Sequence, residues 1–317
     1  MAKQNKERLL EQRIRELEKE VLSAIDIKRN TKPFYIRSVR KLSKGEVTPI
    51  ILLSDFHYEE EVKKQTVNGM NEYNLDIARQ RVISVFRNTL RLIDKERHES
   101  KMDGIVLALL GDFISGAIHE PLLPLCRLQP MQAILEVQEL LIGGIEMLRR
   151  ETKLPLYIPC VVGNHSRTTK KVWIATEQGF SLEYLMYKNM ENYFKRDPNV
   201  HFVVSESQHC YIKVYERNLR FLHGTQFLYN GGVGGFTIPV NKKIKIWNNA
   251  MPCYYTFAGH LHQHFDGNPN FLINGSLIGY NTFALSIGAE FQKPCMSMTM
   301  LSKKWGKVGV SPIFTDI

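Results

Sequence analysis

The sequence lacks the features that mark membrane-spanning and disulfide-stabilised proteins. No apolar run approaches the ~18 residues that a membrane helix needs. The five cysteines are odd in number and include no C-x-x-C pair, which argues against a disulfide framework or a structural zinc site. The opening stretch, MAKQNKERLLEQRIRELEKE, is too charged for a secretory leader. We therefore expect a cytoplasmic protein with reduced thiols and no membrane segment.

What the chain does contain is ordinary for a globular protein with a sizeable core. It has 317 residues, of which 44% are hydrophobic and 23% charged. At about 150 residues per domain, this length suits one large domain or two smaller ones. The composition is typical of a globular protein and indicates no particular function.

Positive charge is concentrated at the N-terminus. Residues 1–45 hold 13 Lys or Arg and 6 Asp or Glu, which accounts for +7 of the net +10. A basic arm of this kind favours an acidic partner such as DNA. The alternative is a solvated helix and linker that keeps the protein soluble.

The arm also carries an apolar stripe. Residues 5–28 have the spacing of one helix, with Leu10, Ile14, Leu17, Val21 and Ala24 in a heptad-like pattern. The stripe could pair with a second copy to make a homodimer, or it could dock on the body of the protein. We divide the chain into this N-terminal helix and linker, residues 1–45, and a catalytic domain, residues 46–317.

The rest of the chain alternates between buried strands and amphipathic helices. Strands are expected at 49–54, 104–110 and 156–162, and helices at 74–96, 130–150 and 181–194. After residue 200 the segments become short and β-rich. The pattern predicts a layered α/β fold with two central sheets.

The first buried strand ends in the sequence ILLSDFHYEE, residues 51–60. Because residues i and i+2 of a strand share a face, Asp55 and His57 can converge on one point past the strand end. That geometry suits a metal ion, and it also suits a plain Asp–His hydrogen bond. The choice depends on which residue types lie at the ends of the other strands.

Four further strands end in residues that commonly bind metals. The endings are G-D, G-N-H, H-G and G-H-L-H, and they supply Asp112, Asn164, His165, His223, His260 and His262. Ligand sites of open α/β sheets lie at the carboxyl ends of the strands. Five coincidental burials of polar groups would each cost free energy, whereas one dimetal centre explains all of them.

This ordered set resembles the signature of the calcineurin-like metallophosphoesterases, over about residues 50–280. The resemblance implies a four-layer α/β/β/α sandwich with two central mixed β-sheets, to which this chain adds an N-terminal helix. It implies that Asp55, His57 and His262 hold one metal, that Asn164, His223 and His260 hold a second, and that Asp112 bridges them. His165 is implied to sit over the scissile phosphate without ligating, where it stabilises charge or protonates the leaving oxygen.

Other stretches are similar to a phage-type, DNA-repair-exonuclease-like subgroup of that family. They are YNLDIARQRV, GDFISGAIHEPL, GNHSRTTKK, GGVGGFTIP and NGSLIGYNTFA. The similarity implies a nuclease that works in the cytoplasm of a bacterial host. The protein Ser/Thr phosphatases of the family carry acidic and arginine residues after G-D and a glutamate after G-N-H, which GDFISG and GNHSR lack.

Several residues near these motifs have two interpretations. Arg167, Lys170 and Lys171 follow the catalytic histidine and are expected to contact phosphates beyond the scissile one, although they could be surface charges. His119 could reach the mouth of the site, but we expect it to be a solvated loop residue. Trp173 and Phe180 could stack on a nucleic-acid base, but we expect them to pack in the core. The glycine-rich stretch at 230–236 is expected to be a flap near His223.

The ligand types also bear on the metal and the reaction. Two divalent ions ~3.5–4 Å apart can clamp a phosphoryl group and activate water. Mixed nitrogen and oxygen ligands suit Mn²⁺, which we favour, or Fe²⁺ or Zn²⁺. We expect a DNA nuclease, with a small-molecule phosphodiesterase acting on cyclic nucleotides or nucleotide conjugates as the alternative. A non-catalytic binding protein is disfavoured because every ligand type is present.

Overall fold

The computed structural model describes residues 10–18, 45–227 and 235–315. The chain divides into two units, Met1–Ser43 and Lys44–Ile317. Within the first unit residues 10–18 form helix α1, and the side chains of Leu10, Ile14 and Leu17 on it are exposed. The remainder of the expected stripe, and most of the expected glycine-rich flap, lie outside the described residues.

The second unit is built on a large mixed sheet of seven strands. The strands are β1 (Gly45–Leu53), β2 (Ser100–Lys101), β3 (Ile105–Leu109), β4 (Leu156–Cys160), β5 (Val200–Val204), β11 (Cys295–Ser302) and β12 (Gly306–Phe314). Their order is β12-β11-β1-β3-β4-β5, with β2 paired to the start of β1. The four strands β1, β3, β4 and β5 run parallel, so their carboxyl ends lie along one end of the sheet.

Helices cover one face of this sheet. They are α2 (Leu75–Arg97), α3 (Pro130–Thr152) and α4 (Leu182–Phe194). Asn74 and Ser181 begin α2 and α4 by accepting a backbone N–H in the first turn. Pro130 opens α3, where its missing N–H costs nothing. The buried stripes of the three helices pack on the sheet residues whose side chains point to their side.

A second sheet of five strands lies against the other face. Its strands are β6 (His209–Val214), β7 (Arg217–Leu222), β8 (Tyr255–Ala258), β9 (Phe265–Gly267) and β10 (Phe271–Ile273), in the order β6-β7-β8-β10-β9. Ile50 and Leu52 of β1 meet Phe221 and Phe257 of this sheet in a shared core. The alternation of β1 explains the arrangement, since Ile51 points to the helices instead.

Helix α5 (Thr237–Ala250) covers the outer face of the second sheet, through Val240 and Ile244. A short helix, α6 (Thr282–Ser286), precedes β11. The four layers are therefore helices, sheet, sheet and helix, which confirms the expected α/β/β/α class with two mixed sheets. Among the described residues, no helix is both long and apolar enough to cross a membrane.

Candidate metal centre

Five strand ends meet at one place between the two sheets. The side chains that lie just past β1, β3, β4, β7 and β8 are Asp55, His57, Asp112, Asn164, His165, His223, His260 and His262. Among the described residues, three groups of possible ligands have atoms within 4.8 Å of one another: Asp55–His57–His262, His57–Asp112–His165 and Asp112–His223–His260. These groups contain every residue singled out from the sequence except Asn164, and the roles of all of them as ligands stay a prediction.

The first group is centred on a fully buried carboxylate. Asp55 Oδ1 lies 3.4 Å from Nε2 of His262, and that nitrogen lies 3.2 Å from Nε2 of His57. Ser54 Oγ contacts Asp55 Oδ2 at 2.5 Å, and the backbone N–H of His260 donates to the same carboxylate at 3.0 Å. Asp55 therefore keeps one oxygen directed at the two imidazoles.

The second group surrounds Asp112. Its Oδ2 lies 2.9 Å from Nε2 of His223, while its Oδ1 accepts the backbone N–H of His165 at 2.8 Å. The rings of His223 and His260 are 5.0 Å apart. Because Asp112 also belongs to the group with His57 and His165, it is the residue shared between neighbouring clusters.

The backbone at these strand ends is unusual. Asp55, His57, Asp112, His260 and His262 all have positive φ angles, between 46° and 69°. Residues with side chains seldom adopt this left-handed conformation, and such strain concentrates at functional sites. Each strand turns sharply after its last apolar residue, which points the side chain into the centre.

Two glycines permit the close approach of the loops. Gly111 has a φ of 85°, and a Cβ on it would overlap the backbone of Gly163. A Cβ on Gly163 would in turn overlap the carboxylate of Asp112. The G-D and G-N motifs therefore need glycine because the two turns are in contact.

The hydrogen bonds of the imidazoles fix their tautomers. Nδ1 of His57 contacts Ser115 Oγ at 2.9 Å, and Ser115 Oγ itself donates to Glu60. Nδ1 of His223 contacts the carbonyl of Leu110 at 2.7 Å. Each Nδ1 must therefore carry the proton it donates, which leaves the Nε2 lone pair facing the centre. Metal-binding histidines are held in this way.

The polar atoms at the centre fit a metal better than they fit one another. Among the described residues, the ion-pair partners of Asp55 and Asp112 are histidines, although both carboxylates are buried. Within residues 45–227 and 235–315, Asn164 Oδ1 and His223 Nε2 are buried and have no hydrogen-bond partner, the latter despite its 2.9 Å contact with Asp112. Unpaired polar atoms at such depth are costly unless an ion binds there.

The pKa values of the buried histidines differ from one another because burial and neighbouring charges shift them differently. Burial and the charge of His165 hold the pKa of His57 well below its usual value, and burial with the charge of His223 lowers the pKa of His260 to about 4. Burial opposes ionisation of Asp112, but the charges of His223 and His165 hold its pKa well below its usual range. Burial opposes ionisation of the other two imidazoles, but the charge of Asp112 raises the pKa of His223 to about 10 and the hydrogen bond to Asp55 raises the pKa of His262. His57 and His260 therefore favour the neutral form that binds metals, whereas a metal ion would have to displace a proton from His223 and His262.

A cleft of about 560 Å³ opens beside these groups. It is lined by His165, Arg167 and Lys170 on one side and by Ile118 and Met131 on the other. Nδ1 of His165 donates to the carbonyl oxygen of Ser115, 2.9 Å away. Arg167 is held by the carbonyls of Asn164 and Thr169, at 2.5 and 3.2 Å. The G-N-H-S-R motif thus brings a histidine and a fixed guanidinium to one cleft.

Of the expectations for His119 and Trp173, the first was confirmed and the second was wrong. His119 is an exposed loop residue, as expected, and its ring also lies 5.0 Å from that of His165. Trp173 is not in the core: 50% of it is exposed, and it meets Phe180 edge-on at 4.5 Å. Both belong to loops, where burial is set by contacts that local patterning does not reveal.

Sequence patterns also missed the buried acids that support the site. Glu59 accepts the backbone N–H groups of Ser115 and Gly116, and Glu60 accepts Ser115 Oγ. Both lie in the HYEE run directly after His57, where two consecutive buried acids were a usable signal. Burial raises the pKa of Glu59 to about 7.

A third acid, Glu183 of α4, connects two of the strand ends. It accepts the N–H of Phe113 at 2.7 Å and the N–H of Gly163 at 2.8 Å. Burial and the charge of Asp112 raise its pKa to about 7. Its place on the buried stripe of α4, with Met186 and Met190, was the signal in the sequence.

Comparisons with known proteins give structural likenesses only. No protein-family model matches the chain, and no curated protein sequence matches it. An archaeal phosphodiesterase structure has a TM-score of 0.38 and 10% identity, with 83% of this chain and 99% of that chain covered. Vacuolar protein sorting 29 of Cryptosporidium parvum has a TM-score of 0.35 and 16% identity, with 85% and 97% covered. The zinc complex of Vps29 from Entamoeba histolytica has a TM-score of 0.32 and 11% identity, with 84% and 99% covered.

Proposed function

We propose that the protein is a two-metal phosphodiesterase. One observation carries the proposal: seven side chains with metal-binding atoms converge from five strand ends, and Nδ1 of His57, His165 and His223 is already hydrogen-bonded. Asp55, His57 and His262 would hold one ion, and Asn164, His223 and His260 the other, with Asp112 shared. Two divalent ions at such a site supply a clamp on the phosphoryl oxygens and an acidic water. We favour Mn²⁺, with Fe²⁺ or Zn²⁺ as alternatives, because the donors are nitrogen and oxygen.

The chain's own groups have separate tasks in this proposal. His165 is held at Nδ1 by the carbonyl of Ser115, so its Nε2 faces the cleft and can deliver a proton to the leaving oxygen. Arg167 is fixed by two carbonyls and contributes a second positive charge for phosphate. Ser115, anchored by Glu59 and Glu60, orients both His57 and His165.

We further propose that the substrate is nucleic acid, most simply DNA. The +7 charge of residues 1–45, the cleft-facing Arg167 and the neighbouring Lys170 support a polyanionic substrate. A small-molecule phosphodiesterase is the second candidate, because a cleft of about 560 Å³ lies within the range of small-ligand sites. A homodimer formed through the apolar stripe of the N-terminal helix stays a separate proposal.

One experiment tests the class and the substrate together. The purified chain is analysed for bound metal, and its hydrolysis is then measured with Mn²⁺ on linear DNA, single strands, cyclic nucleotides and a chromogenic phosphodiester. A nuclease cleaves the polymers, with activity that falls as salt rises, whereas a small-molecule enzyme prefers the cyclic nucleotides at any salt concentration. Absence of both bound metal and hydrolysis would overturn the proposal.

A further inference from the structure

A loop beside the proposed catalytic histidine has joined ends and exposed side chains along its outer part. We call residues 167–181 the strand loop. Its ends are joined, since Arg167 pairs with Ser181 and the N–H of Thr168 donates to the carbonyl of Phe180 at 2.7 Å. It departs two residues after His165 and returns at the start of α4. A loop with joined ends of this kind is a typical site of function.

The outer part of the strand loop presents basic and aromatic side chains together. Lys170 and Lys171 are exposed, and Trp173 and Ile174 are exposed to 50% and 73%. The indole of Trp173 meets Phe180 at its edge, so the loop leaves a large flat surface in solvent. Folding alone would favour burial of the Trp173 indole, so its exposure is better explained by binding.

The position of the loop links this surface to the site. Lys170 lines the cleft that contains His165 and Arg167. On its other side, Glu177 accepts the side-chain amide of Gln208 at 3.1 Å, which holds the loop against the turn between β5 and β6. A chain lying across Trp173 would therefore continue past Lys170 to His165.

We propose that the strand loop binds single-stranded nucleic acid, with an unpaired base stacked on Trp173 and phosphates on Lys170 and Lys171. The proposal rests on the phosphodiesterase function and specifies its substrate. Stacking requires a free base face, which a duplex conceals. Basic residues beside an aromatic platform are what a single strand needs, and Lys170, Lys171 and Trp173 occur within four residues.

The chain provides its own control in a second basic and aromatic segment. Lys303, Lys304 and Trp305 stand in the turn between β11 and β12, with Trp305 exposed to 71%. This turn adjoins the start of β1, since Val47 pairs with Ser302, whereas Asp55 lies past its end. At about 3.3 Å per residue, β1 separates the two places by roughly 30 Å. Lys304 also covers the Trp305 ring at 4.4 Å.

The test measures binding of a phosphorothioate oligothymidylate to the full, metal-loaded chain by fluorescence anisotropy. Trp173→Ala should raise Kd about 5- to 150-fold, the range for loss of one base–aromatic stack. Trp173→Phe should retain most of the affinity, and Trp305→Ala all of it. Replacing Lys170 and Lys171 by Gln should reduce the slope of log affinity against log salt by about 0.7 for each.

Three results would overturn the proposal. The first is equal Kd values for Trp173→Ala and Trp305→Ala. The second is a loss of affinity for a matched duplex, caused by Trp173→Ala, that is as large as the loss for the single strand. The third is a Trp173→Phe variant that binds no more tightly than Trp173→Ala. Failure of the phosphodiesterase function would look different, because the wild-type chain would then hydrolyse no diester at all. The ratio of oligonucleotide to chromogenic-diester turnover should fall for Trp173→Ala and stay constant for Trp305→Ala.

Discussion

The two ends of β3 each carry an aspartate, and the two residues have little else in common. Asp103 precedes the strand, is exposed and pairs with Lys101 at 3.2 Å. Asp112 lies just past the strand, is buried, has a φ of 55° and contacts histidines. β1 shows the same contrast, since Glu46 at its start is partly exposed while Asp55 past its end is buried. Burial and backbone direction, rather than residue type, therefore distinguish a candidate site from a surface.

The most direct way to break this comparison is to neutralise each aspartate in turn. We expect Asp112→Asn to lose bound metal and nearly all hydrolysis, because the residue shared by the ligand groups loses its charge and one acceptor oxygen. Asp103→Asn should keep both, since its ion pair is exposed. Metal content of the purified variants and turnover of a chromogenic diester are the measurements. Survival of metal and turnover in Asp112→Asn would end the dimetal assignment.

Histidines allow a second comparison with a smaller expected effect. His165→Ala should keep its metal and lose about 10²–10⁴-fold in rate, because it removes a proton donor rather than a ligand. His201, exposed near the start of β5 and stacked on Tyr157 at 5.0 Å, is the matched control, and His201→Ala should leave the rate unchanged.

The leaving group separates the two roles of His165. An aryl leaving group needs no protonation, so it should partly rescue His165→Ala. Metal loss from this variant would instead identify His165 as a ligand, an arrangement its grouping with His57 and Asp112 permits. If metal is kept but the aryl substrate brings no rescue, then His165 stabilises charge and does not deliver a proton.

The candidate site was predictable because its signal is local. An apolar strand that ends in polar residues is visible in five short stretches, four of which also contain glycine. Asp55 and His57 do share a direction, but they reach it through left-handed backbone past the end of β1 and not through the strand period of two. The helices α2, α3 and α4 were predicted within two residues, because their stripes repeat over several turns. Patterns that repeat along a helix, or that recur at several strand ends, can be recognised in the sequence without knowledge of the fold.

What the sequence did not reveal depends on contacts between distant segments. Helix α5 lies in the region expected to be β-rich: TIPVNKKIKIWNNA is rich in β-branched residues, and tertiary packing through Val240 and Ile244 overrides that preference. The pattern also gives no assignment for β11 and β12, which complete the large sheet. The hydrogen bonds of Glu183 join residues 20 and 70 positions away, so no local window contains them.

Glu183 and Glu46 give the smallest and most specific comparison between the two ends of the sheet. Glu46, at the start of β1, pairs with Lys303 at 2.8 Å in a partly exposed position. Glu183 is buried, and its two oxygens each accept a backbone N–H, from Phe113 and Gly163. Those two amides directly follow Asp112 and precede Asn164. The carboxylate thus fixes two of the turns that carry the candidate ligands.

Replacing Glu183 by Gln keeps the shape of the side chain, but one accepting oxygen becomes an NH₂ group that faces a backbone N–H. We expect Glu183→Gln to lower the free energy of unfolding by about 1–3 kcal/mol, and Glu46→Gln by about 0–1 kcal/mol. Urea unfolding should be followed above the pKa of about 7 that burial and the charge of Asp112 give the Glu183 carboxyl, so that the wild-type group is ionised. Metal affinity provides the second readout, because outer groups that orient ligands typically contribute 10- to 100-fold. Equal unfolding free energies for the two variants would mean that the Glu183 carboxylate does not hold the turns. An unchanged metal affinity of Glu183→Gln would mean that Asp112 and Asn164 keep their positions without that carboxylate.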